Sequence, residues 1–295
     1  MDFKPEGTIP PLVTPFSDDG SLNEPMLRKI INYVLDAGVH GVFIAGSTGE
    51  SYALDAKERI RAFEIAIEEV NGRVPVYAGT AHITTAETVR LTAAAESVGA
   101  DAVSIVTPFF ITPNDQELYQ HYKTVAESTR LPILLYNNPG RTGVHISIET
   151  IKALSKIENI VGMKDSSGDM TYINEVIRNT DENFHFFCGR DTLIFSSLVS
   201  GGSGAVPASA NIAPRLIVEL YNQFKQGNLE AAREAQFTLA PLRMAFNLGS
   251  FPVVLKEGMQ MIGLEVGRTR PPIQPMSSDK RDTLKSILKN MGLAE

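Results

Sequence analysis

The sequence predicts a (β/α)8 (TIM) barrel that carries a C-terminal helical extension. One unit recurs along the 295 residues: a short β-branched run, a loop rich in Gly, Pro or hydroxyl residues, then a stretch with helical spacing. Most of the strand candidates are apolar without polar alternation, as burial on both faces of a parallel sheet requires. Right-handed βα crossovers repeated eight times over about 200 residues can close into a barrel.

In chain order the strand candidates are TIPPLVTPF (8–16), GVFIAG (41–46), VPVYAG (74–79), AVSIVTP (102–108), PILLYN (132–137), IVGMKD (160–165), FHFFCG (184–189) and GAVPAS (204–209). Between the first two, NEPMLRKIINYVLDAG puts Leu27, Ile30, Ile31, Val34 and Leu35 on one helical face, with Pro25 suited to the first turn and Gly38 to the stop. In TTAETVRLTAAAESVGAD, Thr84 and Glu87 have capping-box spacing and Gly99 closes the segment. After the eighth strand come three further helical stretches, at 213–227, 228–249 and 277–293. No Ser/Gly linker or low-complexity run intervenes, so residues 1–225 are assigned to a catalytic barrel and 226–295 to its helical extension. A doubly wound open sheet would also alternate strand and helix, but it expects a Gly-rich nucleotide loop after the first strand, and LVTPFSDDG is not one.

Composition narrows the function. A formal charge of −7 argues against a nucleic-acid partner, which phosphate neutralisation would make basic. Cys188 is the single cysteine, which suits a reducing compartment and permits no internal disulfide; it is expected to be a buried small residue. Every apolar run falls short of the roughly 20 residues of a membrane span, and the first residues lack a signal core, so a cytoplasmic protein is expected. The five histidines show no i, i+4 ligand pair, which disfavours a zinc site. Ser277 and Lys280 match an S-x-x-K spacing but read as the polar start of the last helix.

Residues at the C-terminal ends of barrel strands face one shared mouth. Lys164 ends the sixth strand, Tyr136 the fifth, Ser47 and Thr48 follow the second, and Arg141 lies just beyond the fifth. Burial in a barrel wall favours the neutral, nucleophilic form of an amine, so a lysine here can form a Schiff base without metal or organic cofactor. Tyr136 can move the protons, with Ser47 to pass them on. The competing readings are structural. Lys164 can pair with Asp165 or another strand-end carboxylate, Tyr136 can be a core tyrosine, and Ser47 and Thr48 can cap the next helix or, with the GSTGE amides, bind a carboxylate.

GSTGE (46–50), YNNPGRTG (136–143) and VGMKDSSGD (161–169), in this order and spacing, resemble the dihydrodipicolinate synthase and N-acetylneuraminate lyase family of pyruvate-dependent class I aldolases, from about Gly7 through GGSGAVPASANIAP into the helical tail. The resemblance implies a homotetrameric barrel enzyme needing no cofactor. In it Lys164 is the Schiff-base lysine, Tyr136 the catalytic tyrosine, Ser47 a relay hydroxyl, Thr48 a contact to the pyruvate carboxylate and Val206 a backbone contact to pyruvate. Arg141 matches the arginine with which the synthases hold the carboxylate of the incoming aldehyde. Where those synthases carry a second tyrosine that reaches into a neighbouring subunit, TPFF puts Phe110, and the Phe109–Phe110 pair suits a subunit contact. Asp191 falls where the lyases carry an acidic sugar-binding residue. The expectation is therefore a lyase or aldolase that joins or splits pyruvate, or another 2-oxo acid, and an aldehyde. The alternatives beside it are synthesis of 4-hydroxy-tetrahydrodipicolinate, aldol cleavage or dehydration of 2-keto-3-deoxy sugar acids including N-acetylneuraminate, and non-catalytic binding of a keto acid.

Overall fold

In the computed structural model, which describes residues 3–294, every strand is parallel to its neighbours. The strands are β1 (Gly7–Thr8), β2 (Val42–Ile44), β3 (Val76–Gly79), β4 (Ala102–Val106), β5 (Ile133–Asn137), β6 (Ile160–Asp165), β7 (His185–Cys188) and β8 (Gly204–Ala205). Ladders join them in the order β1-β8-β7-β6-β5-β4-β3-β2. The remaining seam, between the first and last of that order, is closed beyond β1: Phe43 N donates to Pro10 O at 2.9 Å and Leu12 N donates to Phe43 O at 2.8 Å. This is where expectation and structure part over TIPPLVTPF. Pro10 and Pro11 have no N–H, so the run makes an isolated bridge, Pro11 to Phe43, in place of a continuous ladder.

Alternation along the strands builds two cores. Ile9, Phe43, Tyr77, Ala102, Leu134, Val161, Phe187 and Val206, one from each strand or its direct continuation, fill the barrel interior. The residues between them face outward and pack under the helices, in a larger cluster that includes Val103, Ile105, Leu135 and Met163. Each such aliphatic side chain removed from water contributes roughly 1.5–3 kcal/mol.

The helices connecting the strands are α1 (Glu24–Leu35), α2 (Ala56–Val70), α3 (Thr85–Val98), α4 (Asp115–Glu127), the single turn α5 (Pro139–Thr142), α6 (Ile148–Leu154), α7 (Met170–Asn179) and α8 (Ile194–Val199). Helix α1 starts as its sequence indicates, with the Asn23 side chain accepting from Met26 N and Pro25 in the first turn, and buries Leu27, Ile30, Ile31 and Val34. Helix α3 forms half of its expected capping box. Thr84 Oγ1 accepts from Glu87 N at 3.4 Å, while the Glu87 carboxylate turns away to Arg90.

Among the described residues four α-helices lie beyond β8, one more than the sequence indicates: α9 (Pro214–Lys225), α10 (Leu229–Ala245), α11 (Val253–Met261) and α12 (Ser278–Asn290). The unexpected one is α11, whose Val253–Met259 stretch is buried throughout, charged residues included. It is nine residues long and contains Gly258, and its charged side, Lys256 and Glu257, is packed into protein where a surface helix would face water, so tertiary packing defines it more than the local pattern does. Ser277 is the N-cap position of α12. No helix among the described residues is long and apolar enough to cross a membrane.

Candidate active site

The C-terminal ends of the strands open into a cavity of about 420 Å³. Lys164, Tyr136, Ser47, Thr48, Arg141, Asp191 and Val206 all line it. Residues up to 159 positions apart in the chain thus meet because each stands at or just past the end of its own strand (Ser47 and Val206). Phe109 lines a neighbouring pocket with Tyr52, Arg141 and Phe251. Phe110 lines neither: it is 88% exposed, with φ +80°.

The register of β5 on β6 pairs Tyr136 with Lys164 and Asn137 with Asp165. Because successive side chains alternate faces, the first pair points into the mouth and the second away from it. Lys164 Nζ lies 4.0 Å from the centroid of the Tyr136 ring and 5.3 Å from that of Phe43. Asp165 instead accepts from Asn137 Nδ2 at 2.7 Å and from Ser167 Oγ at 2.7 Å. The ion pair between Lys164 and Asp165 weighed as the structural alternative does not form, and Lys164 has no carboxylate partner among the described residues. Gly189, at the end of β7, leaves space for this lysine. A Cβ there would collide with Ser166 Oγ and come within 3.0 Å of Lys164 Cε.

The Tyr136 phenol accepts a hydrogen bond from Asn138 Nδ2 at 2.8 Å, which leaves its own proton free to be donated. Burial pushes this phenol up, but the Lys164 charge, the nearby Ser47 and Ser166 hydroxyls and the hydrogen bond from Asn138 outweigh it, so it ionises more readily than an ordinary tyrosine. A proton-transfer group beside an amine needs that property.

Ser47 and Thr48 stand on a tightly held loop. Ala45 (φ +52°) and Glu50 (φ +54°) are both left-handed, a conformation that costs non-glycine residues energy and persists where the surroundings fix it. Gly79 on β3 passes directly beneath, where a Cβ would collide with Ala45 O. From the other side, Thr14 Oγ1 donates to Gly49 O at 2.6 Å. Glu50 reaches down to Lys256 on α11 at 2.6 Å and accepts from Arg270 N at 3.0 Å, so the helical extension anchors this loop. Arg141 is carried by α5, whose Thr142 hydroxyl accepts from Thr107 Oγ1 at 2.9 Å.

Several lining residues were not indicated by the sequence. Asn138 and Ser166 each follow a strand end by one position, so the strand-end rule reaches them. Arg190 lies two residues past β7 and Arg243 on α10, with Phe246, Asn247, Gly249 and Phe251 following it along the rim. Nothing local in the α10 sequence marks Arg243 as facing a distant strand end. Asp191 is 1% exposed and its Oδ2 accepts from Ser209 N at 2.8 Å, which ties the loop after β8 to the wall.

The chain matches the family model described as the dihydrodipicolinate synthetase family over residues 4–291. Among curated relatives, a 4-hydroxy-tetrahydrodipicolinate synthase of Methanopyrus kandleri is 40% identical over 295 residues, spanning 99% of this chain and 98% of its own. The enzyme of that name from Syntrophus aciditrophicus is 39% identical over 98% of this chain and 99% of its own. Among solved structures, dihydrodipicolinate synthase from Aquifex aeolicus superposes with a TM-score of 0.95 at 34% identity, covering 98% of this chain and 99% of that one. A prophage protein of E. coli K12, YagE, solved in complex with pyruvate, gives a TM-score of 0.95 at 32% identity over 98% and 99% of the two chains.

Proposed function

The chain belongs to the dihydrodipicolinate synthetase family, and on that premise we propose that Lys164 forms a Schiff base with pyruvate and that the enzyme joins this unit to, or releases it from, an aldehyde. The observation that carries the reading is a buried amine, without a carboxylate partner among the described residues, beside a readily ionised phenol and facing an open cavity. Lys164 Nζ attacks the ketone carbon of pyruvate and water leaves, giving an iminium that acidifies the neighbouring methyl. Loss of a methyl proton gives an enamine, whose carbon attacks the aldehyde carbonyl. Hydrolysis of the new iminium frees the product and the amine. Tyr136 serves as the acid and base of these steps, with Ser47 as its relay, Thr48 and the backbone at Val206 against the pyruvate unit, Arg141 for the acid group of the aldehyde and Asp191 at the edge of the aldehyde side.

Synthesis of 4-hydroxy-tetrahydrodipicolinate from pyruvate and aspartate semialdehyde is the second reading. The names of the near full-length relatives and the presence of Arg141 favour it. Against it stands Phe110, whose ring has no hydroxyl to extend a relay. The exposed Phe110, Ile111 and Tyr52 support a subunit contact there, in a homotetramer. The single cysteine supports work in the cytoplasm. Residues 1–225 would form the catalytic barrel, with 226–295 completing the rim of its mouth.

Incubation with pyruvate and borohydride, followed by peptide mass spectrometry, tests the proposal. A reduced pyruvyl adduct on Lys164 is expected. An unmodified Lys164 after incubation would overturn the Schiff base and leave a keto-acid binder. Turnover with aspartate semialdehyde alone, from a panel of aldehydes, would favour the second reading.

A further inference from the structure

The outer wall of the cavity is crowded with cations that have not been neutralised. Arg141, Arg190 and Arg243 all line it, and among the described residues Asp191 is the only acidic one that does. The carboxylate of Asp191 is already engaged by Ser209 N. Arginines on the outer helices behave differently: Arg28, Arg61, Arg90 and Arg178 each grip a glutamate. None of the three cavity guanidiniums has a hydrogen-bond or ion-pair partner among the described residues.

They are held instead by contacts that leave their N–H groups open. Arg141 stacks over Phe251 at 4.5 Å and Arg243 over Phe246 at 5.1 Å, ring faces that hold a guanidinium in place without satisfying its donors. Arg190 lies against Gly168, where even a Cβ would come within 3.0 Å of its Nε. Arg243 senses the other two. Burial holds Arg243 below the ordinary arginine range, Asp191 acts against that, and Arg190 and Arg141 push in the same direction as burial. Arg141 is exposed and Arg190 and Arg243 partly so, and like charges gathered at the rim of a cleft focus a positive potential into it, which draws anions. Pyruvate's one carboxylate is assigned to the Ser47–Thr48 side, and a cavity of about 420 Å³ has room for a longer partner.

We propose that Arg190 and Arg243 complete, with Arg141, a dianion site, so that the aldehyde partner carries two negative charges at the end remote from its carbonyl, as two carboxylates or as one phosphate. The proposal rests on the Schiff-base reading for the identity of the other half of the cavity. It makes Arg190 and Arg243 specificity residues, since each guanidinium offers paired donors to an oxyanion.

The test uses enzyme whose Lys164 has been reduced onto pyruvate, titrated calorimetrically with inorganic phosphate, glutarate and acetate. Phosphate or glutarate should bind at least about tenfold more tightly than acetate, and R190Q and R243Q should each weaken that binding about tenfold. Whichever of phosphate and glutarate binds better identifies the acid group. Equal binding of all three anions, or glutamine variants that bind like wild type, would overturn the dianion site. R243K keeps the charge on a similar stem, covers the case of a glutamine variant that fails to fold, and should bind more weakly than wild type. Failure to obtain the adduct counts against the Schiff base alone, because the same titration on unmodified enzyme still decides the dianion site.

Discussion

Lys164 and Lys256 are 5% and 1% exposed, and each has an aromatic ring close to its Nζ: Tyr136 at 4.0 Å for the first, Phe16 at 4.2 Å for the second. Their other surroundings are opposite. Lys256 Nζ meets Glu50 at 2.6 Å and donates to Arg268 O at 3.0 Å, while Lys164 meets no carboxylate among the described residues and faces a cavity. Burial holds Lys256 down to about 8, with Glu50 working against it. An ammonium sealed in protein needs a counter-charge, whereas an amine at the wall of a cavity can wait for a ligand. Burial alone therefore does not mark a reactive lysine. On the proposed function, burial without a fixed partner, beside open space, is what distinguishes Lys164.

The sharpest way to break this comparison is to remove each amine in turn. Lys164→Ala should abolish turnover and pyruvate trapping while circular dichroism and thermal unfolding stay close to wild type, because the side chain ends in a cavity and little packing is lost. Wholesale unfolding of that variant would make Lys164 a second Lys256. Lys256→Met should do the reverse. It leaves Glu50 buried without its cation, and breaking a buried pair in this way costs about 3–5 kcal/mol, measured by urea denaturation. Any loss of activity in that variant should follow from the displaced Ser47–Thr48 loop, and pyruvate trapping on Lys164 should persist under conditions where the protein is folded.

The two lysines also differ in how far the sequence reveals them. IVGMKD coincides with β6, so Lys164 could be placed at a strand end, and one step of alternation sends Asp165 to the other face. Tyr136, Ser47, Thr48 and Arg141 were legible for the same reason, since the strand-end rule converts position along the chain into position in space. Lys256 was not, because it sits on the polar side of a short helix, where a solvated face is the ordinary expectation, and its partner Glu50 lies 206 positions away. Arg243 was hidden likewise, on a helix whose docking over the barrel mouth is a tertiary fact. Arg190, two residues past β7, is within reach of the strand-end rule, whereas its neighbour Asp191 is indicated by the family resemblance. The first strand is shorter than its apolar run predicts because Pro10 and Pro11 have no N–H to give to a ladder.

The finest version of the comparison asks what the Lys256–Glu50 pair is worth as a pair. Its ionic form has to overcome the desolvation of both groups, and a buried pair replaced as a unit by uncharged groups of similar shape is often neutral or stabilising. Adding Glu50→Gln to Lys256→Met removes the stranded carboxylate while keeping an oxygen acceptor for Arg270 N, which Glu50 Oε2 now serves at 3.0 Å. The double variant should thus recover most of the stability lost in Lys256→Met and come within about 1–2 kcal/mol of wild type by urea denaturation. Recovery would show that the pair's charges matter to each other more than to the fold. A double variant as unstable as Lys256→Met would instead mean that the ammonium itself, through Arg268 O and the Phe16 ring, holds the extension to the loop.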